Sequence, residues 1–268
     1  MLTRRRTLAL AAAAALSPGI GVAGPAARLI DGPWQRFGSG VGPSHAAWSA
    51  ILADHLVTGA DGVARFDYAA LDRGRLAAYV AMLEAADPTA MGRDAAFAYW
   101  VNVYNAVTIA VVAEAYPIRS IRDIGGGLFS PGPWREPVFT VLGRTLSLDE
   151  VEHGILRPVW GDARIHYAVN CASIGCPNLK ASAWDASTLE TDLDAAARAY
   201  VNHPRGARIE GGDLTVSSIY DWFVEDFGGN DAGVIAHLSR YAAPALATDL
   251  SGASRIARHD YDWALNDI

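Results

Sequence analysis

The sequence predicts an α+β fold in a single domain, with a central buried helix packed against a small, mainly antiparallel sheet. Three observations lead there. Residues 94–116 are apolar nearly all round, a pattern that suits a helix enclosed by the rest of its fold. Short apolar stretches flank the turns Leu142-Gly143-Arg144 and Gly211-Gly212, as in hairpins. Helical and extended segments follow one another without an internal repeat, a linker or a regular β-α-β order. The chain has 268 residues, 51% of them hydrophobic and 19% charged, enough for a substantial core. That composition excludes a disordered, collagen-like or coiled-coil chain.

Residues 1–23 are set apart. Arg4, Arg5 and Arg6 precede an alanine-rich apolar stretch that ends at Gly21-Val22-Ala23. A positive start, a short apolar stretch and a small-residue end describe a signal peptide, and the paired arginines ahead of Leu8 fit twin-arginine export. The stretch is too short for a stable bilayer span. No later run of 18 apolar residues is read, so the expectation is a periplasmic or otherwise exported protein with no stable membrane span after signal cleavage. Residues 24–44, rich in Gly, Pro and Ser, read as an irregular lead-in.

Helices are expected over residues 48–56 and 71–86, and a short strand over 63–68. The buried helix is closed by Pro117. Residues 118–137, with Gly125-Gly126-Gly127 and Pro131, Pro133 and Pro137, read as a long loop. The triple glycine lacks the strand and GK[ST] context of a phosphate loop. Residues 138–141 and 145–148 pair as a hairpin. Ser147-Leu148-Asp149-Glu150 is a capping box that starts a helix running to about residue 156. Residues 164–170 alternate and read as a strand. Residues 189–201 form a helix with Leu189, Leu193, Ala197 and Tyr200 inward. Residues 207–209 and 214–216 form a second hairpin, and Ile219, Phe223 and Phe227 mark one side of a further helix.

Charge narrows the function. Lys and Arg total 22 against 29 Asp and Glu, a net charge of -7. An acidic chain is a poor partner for nucleic acid or anionic membranes. A small-molecule or peptide ligand remains the expected partner, and no cofactor is specified.

Both cysteines lie in His166-Tyr167-Ala168-Val169-Asn170-Cys171-Ala172-Ser173-Ile174-Gly175-Cys176. A Cys- and Gly-containing turn can display a nucleophile, which needs a base or positive charge to form thiolate. His166 and His153 are the candidate bases. In an exported protein the same two cysteines can instead form a disulfide or remain inert buried thiols. Their spacing, with no second pair, does not fit a structural zinc site, and no metal is expected. Asn102 and Asn105 sit three apart on the buried helix and need hydrogen-bond partners, either pinning a loop or lining a site. Glu152, His153 and Arg157 form a polar cluster on the capped helix, facing solvent or a cleft. Asp221, Glu225 and Asp226 read as caps and solvent charges.

Phe97-Ala98-Tyr99-Trp100-Val101-Asn102-Val103-Tyr104-Asn105-Ala106 resembles the FWINxYNA element of DUF547, a family of unknown function. Tyr116 to Ile121, Leu146 to Arg157, Arg164 to Pro177, Ser217 to Gly228 and Tyr261 to Asn266 fit its further motifs in order. The resemblance covers about residues 45–267, taken as one domain over 45–268. It implies a core similar to cysteine hydrolases and transglutaminases, where a buried helix carries the nucleophile and a sheet carries the histidine. Asn102 would stand at the helix position and His166 at the sheet position. The leading expectation is a thiol-dependent hydrolase or acyl transferase. Its catalytic residues would be Cys171, His166 or His153, and Asn102. Asn105, Glu152, Arg157, Asn170, Ser173 and Cys176 would contribute to binding. The alternative is a non-catalytic binding domain with a structural Cys171–Cys176 disulfide.

Overall fold

The structure is a computed structural model that describes residues 24–125 and 132–268. The expected leader, and Gly126, Gly127 and Pro131 of the long loop, lie outside the described residues.

Helix α1 (Ala46–His55) buries Trp48, Ile51, Leu52 and His55, one face of a 3.6-residue repeat. Strands β1 (Leu56–Thr58) and β2 (Ala64–Phe66) form an antiparallel hairpin. Helix α2 (Arg73–Glu84) starts at Asp72, whose carboxylate accepts the amides of Gly74 and Arg75, and turns Leu76, Tyr79 and Leu83 inward. Helix α3 (Arg93–Ala115) buries residues on every side between Ala95 and Ile109, and the main core is built around it. It is long and apolar enough to cross a membrane, contrary to the sequence expectation, but 89% of its apolar window is buried inside the protein. That is the condition of a core helix.

Strands β3 (Pro137–Val141) and β4 (Arg144–Ser147) form the second hairpin. Ser147 and Glu150 close the expected capping box, and a helical run follows: α4 (Leu148–Val151), a π-helical turn (Glu152–Leu156) and α5 (Arg157–Trp160). Residues 164–170 are not a strand. Ile165–Ala168 is a helical turn, α6, and the chain becomes extended only at Val169. All four residues of α6 are buried, so alternation could not report one covered and one exposed face.

Helix α7 (Leu189–Val201) turns the expected residues inward. With β5 (Ala207–Glu210) and β6 (Asp213–Ser217) it borders a second core cluster. Helix α8 (Ile219–Trp222), a 3-10 turn (Val224–Phe227), α9 (Asp231–Tyr241) and α10 (Pro244–Ser251) complete that side. Strand β7 (Arg258–Asp260) lies parallel to β6. Among the described residues the expected single sheet is thus three small ones, each including an antiparallel pair. The Tyr200 hydroxyl donates to Gly175 O at 2.6 Å and lies 2.9 Å from Ser217 Oγ, which ties the second cluster to the cysteine segment.

Candidate functional site

The cysteine segment is fixed from beneath by α3. Asn105 donates to Ala168 O at 2.9 Å and accepts the Asn170 amide at 2.8 Å. Asn170 in turn donates to Pro177 O at 2.7 Å and accepts the Ala172 amide at 2.8 Å. These two buried side chains bracket a tight loop in which Ala172 has φ +60°, a strained conformation for a residue with a Cβ. The loop brings two free thiols together, with Cys171 Sγ and Cys176 Sγ 2.7 Å apart.

The surroundings of the two sulfurs differ. The Cys171 backbone N–H donates to Cys176 Sγ at 3.0 Å, whereas Ser173 Oγ lies within reach of both sulfurs, 3.3 Å from Cys171 Sγ and 3.6 Å from Cys176 Sγ. The Tyr261 hydroxyl is 3.1 Å from each sulfur. Burial pushes the Cys176 thiol up, but hydrogen bonds from Cys171, Tyr261 and Ser173 outweigh it and bring it down to about 7. Cys171 is held well above its usual value, first by its hydrogen bond to Cys176 and then by burial. The geometry therefore suits one shared proton, with the anion on Cys176.

A charged network lies on the same cavity. His166 Nε2–H donates to Asp226 Oδ2 at 2.7 Å, and His166 Nδ1 is 3.6 Å from Glu152 Oε1. Arg157 Nε donates to Asp226 Oδ2 at 2.6 Å, and its Nη1 to His153 Nδ1 at 3.2 Å. Burial disfavours the His166 cation, but Asp226 and Glu152 raise its pKa above the ordinary value. Asp226 is pulled down against burial by His166 and Arg157. Burial opposes the Glu152 charge, and the charges of His153, His166 and Arg157 bring its pKa down to about 2. His153 is itself lowered by burial, so at neutral pH the task falls to His166 and Arg157. Because Arg157 donates to His153 Nδ1, the neutral His153 carries its proton on Nε2. Asp149 is raised, mainly by burial. Phe223 stacks on His166, with centroids 4.3 Å apart, and lies 4.7 Å from the Arg157 guanidinium carbon.

The π-helical turn explains how the lead-in reaches this network. The Arg157 N–H bonds to Glu152 O, five residues back, which leaves His153 O without its usual donor. Pro158 has no N–H to offer Gly154 O. Both carbonyls are satisfied by the lead-in: Arg28 N–H donates to His153 O at 3.0 Å and Ile30 N–H to Gly154 O at 3.1 Å. Arg157 Nη1 also donates to Pro25 O at 2.5 Å, and Gly24 N–H to Trp222 O at 2.9 Å. Residues 24–30 are thus a strap along the site.

The cavity has a volume of about 590 Å³, within the range of small-molecule sites. Cys171, Cys176, Glu152, His153 and His166 all line it, as does Tyr104, whose hydroxyl bonds to Glu152. Both nitrogens of His166 face carboxylates, which favours its cationic form and leaves neither nitrogen turned to Cys171 as a free base. Asn102 stands apart: its amide pairs with the backbone of Trp184, at 2.9 Å as donor and 3.0 Å as acceptor. It pins a loop and is not available to a thiol. With His166 on a helical turn, neither residue occupies the place assigned to it by the transglutaminase comparison. Asp226 is no solvent charge but the partner of His166 and Arg157. Tyr261 opens a motif of the family resemblance but was not assigned to the site, because nothing local ties it to the cysteines until the fold lays it on the sulfurs.

Fold and site together define an α+β domain whose aromatic cavity holds a dithiol beside a buried ion network. Residues 88–201 match the family described as "Protein of unknown function, DUF547", which supports the family resemblance over that segment. No curated protein and no solved structure matches the chain.

Proposed function

We propose that the protein is a thiol-dependent hydrolase or acyl transferase whose nucleophile comes from the Cys171–Cys176 pair. The observations that support this reading are the Cys171 backbone N–H aimed at Cys176 Sγ at the wall of the cavity and the Ser173 and Tyr261 hydroxyls within reach of both sulfurs. They favour a resident thiolate at Cys176, with Cys171 holding the shared proton. The thiolate would attack an acyl carbon, forming a thioester as the bond to the leaving group breaks. Asp149, on the same cavity and with its pKa raised mainly by burial, is the group proposed to protonate the leaving group. Water or a second acceptor would then take the acyl group and restore the thiolate. Asn105 and Asn170 act as positioning residues. The ligand is a small molecule or peptide, nucleic acid is not a partner, and the protein acts after export, with no membrane span once the leader is cleaved.

The test is alkylation by iodoacetamide followed by mass spectrometry, at several pH values. Labelling of Cys176 should follow an apparent pKa near 7, and Cys176→Ser should leave Cys171 labelling only at alkaline pH. A pair that resists alkylation across that range overturns the thiol-enzyme reading. The closeness of the sulfurs favours one second reading, a binding domain in which oxidation has joined Cys171 to Cys176. Resistance to alkylation that is relieved by reductant would support it.

A further inference from the structure

Besides the buried Tyr104, the cavity is walled by the aromatic rings of Trp134, Trp222, Phe223, Tyr261 and Trp263. Their mutual contacts leave them half-buried. Trp222 and Tyr261 are 4.8 Å apart, Tyr261 and Trp263 4.7 Å, and Trp134 and Trp263 5.8 Å, by ring centroids. Trp222 and Trp263 also stack on each other, with centroids 5.5 Å apart, and the ring surface that these contacts leave uncovered on the cavity is surface that a flat apolar group can cover.

The second observation is charge. Arg122 and Arg135 line the same cavity on the side of Trp134 and Trp263. The Arg122 guanidinium carbon lies 5.2 Å from the Trp263 ring centre. No carboxylate pairs with it among the described residues. Neighbouring Asp123 instead accepts the amides of Arg119 and Ser120. Arg135 has only a long contact to Asp149, 3.4 Å from its Nε, and its side chain is 74% exposed. Two guanidiniums at the rim of an aromatic cavity are notable in a chain of net charge -7, because they make the approach locally positive. Farther in, Arg157 and His166 are already matched by Asp226 and Glu152. The less fully matched positive charge, Arg122 without a carboxylate and Arg135 with only the long Asp149 contact, is therefore at the rim, and the Trp263–Tyr261 contact leads from it toward the sulfurs.

We infer that the ligand is an anionic aryl or similarly flat apolar compound, its apolar body on the tryptophans and its carboxylate or phosphate at Arg122 and Arg135. This deepens the thiol-enzyme reading by naming the substrate class, and it rests on that reading only for the chemistry that follows binding. Neutral sugars also stack on tryptophan, but they leave the two arginines without a role.

Calorimetric titration of the full chain carrying Cys176→Ser tests binding without acyl chemistry, so its result is separable from thiol labelling. The probes are 1-naphthylacetate, the neutral 2-(1-naphthyl)ethanol and the cationic 2-(1-naphthyl)ethylamine. The acid should bind at least about ten-fold more tightly than the alcohol, and the amine most weakly. The surface variant R122Q/R135Q should bring acid and alcohol within about two-fold of each other while the alcohol's affinity stays put. Trp263→Ala should weaken both, with folding checked by circular dichroism. Equal binding of acid and alcohol, tighter binding of the amine, a preference that survives R122Q/R135Q, or no binding of any probe at millimolar concentration overturns the inference.

Discussion

Glu152 is a buried carboxylate on the cavity wall, and His166, whose cation is favoured, lies beside it. Each would be unfavourable alone; together with Arg157 and Asp226 they satisfy one another. The pKa directions give their pH dependence. Glu152 has a folded value of about 2 against an ordinary 4.5, so its contribution is in place above 4.5 and fades as pH falls toward 2. His166 is raised above 6.5, so its contribution is in place below 6.5 and is lost as pH rises through the raised value. His45, His153 and His237 are lowered by burial and act in the opposite sense, so the melting curve of the whole protein is not the readout. The readout is the gap between parent and variant. The melting-temperature gap to His166→Gln should narrow from pH 6 to pH 9. The gap to Glu152→Gln should narrow as pH falls from 4.5 to 2. A His166→Gln gap that is constant from pH 6 to 9 would show that the imidazole is not held as a cation.

Two elements place the site, and each is built from unusual local bonding. The Asn105 side chain replaces backbone pairing for Ala168 O and Asn170 N. Asn105→Ala leaves both groups buried and unpaired, which should cost about 2–4 kcal/mol in chemical denaturation. It should also raise the apparent pKa of thiol alkylation, because the loop that aims the Cys171 amide at Cys176 loses its anchor. An unchanged alkylation profile would assign Asn105 to stability alone. The strap depends on the π-helical turn and on the absence of a side chain at Gly154. A Cβ there would stand 2.8 Å from Ile30 Cγ2. Gly154→Ala should therefore destabilise by about 1–3 kcal/mol through overpacking, and the cysteines should alkylate faster as the strap loosens. Ile30→Ala in the same chain should recover most of both losses. Failure of that rescue would mean that the strap is not held against Gly154.

At the scale of the molecule, the C-terminal segment closes the structure. Leu265 N–H donates to Arg119 O at 2.8 Å, and Asn266 N–H to Ala172 O at 3.1 Å. Phe66 N–H donates to Asn266 O at 2.7 Å, so β2 and the cysteine loop meet through this segment. Ile174 N–H and Gly175 N–H donate to Ala264 O and Asp262 O, both at 2.8 Å, which sets Tyr261 against the sulfurs. Deletion of residues 261–268 should therefore lower the melting temperature and return thiol alkylation to an ordinary pKa, about 8.5. Normal thiol reactivity at pH 7 in the truncated protein would remove Tyr261 and its segment from the site.

What the sequence by itself determined follows from local rules. The period of Trp48, Ile51 and Leu52, the all-apolar stretch around Trp100, the capping box at Ser147 and the glycines at Gly143 and Gly211 each specify an element through contacts within a few residues. The residue types of the site were also visible: two cysteines five apart, two histidines, and a Glu-His pair ahead of an arginine. Other features depended on partners far along the chain. Residues 165–168 are enclosed on all sides, so their alternation carried no face and read as a strand. The π-helical turn is satisfied by amides more than 120 residues earlier in the chain. Helices α9 and α10 went unread, although α9 carries Val234, Leu238 and Tyr241 at helical spacing. Asp226 and Tyr261 became site residues because tertiary packing put a cation beside one and two sulfurs beside the other. Charge and hydrogen bonding act through space, and only the fold sets those distances.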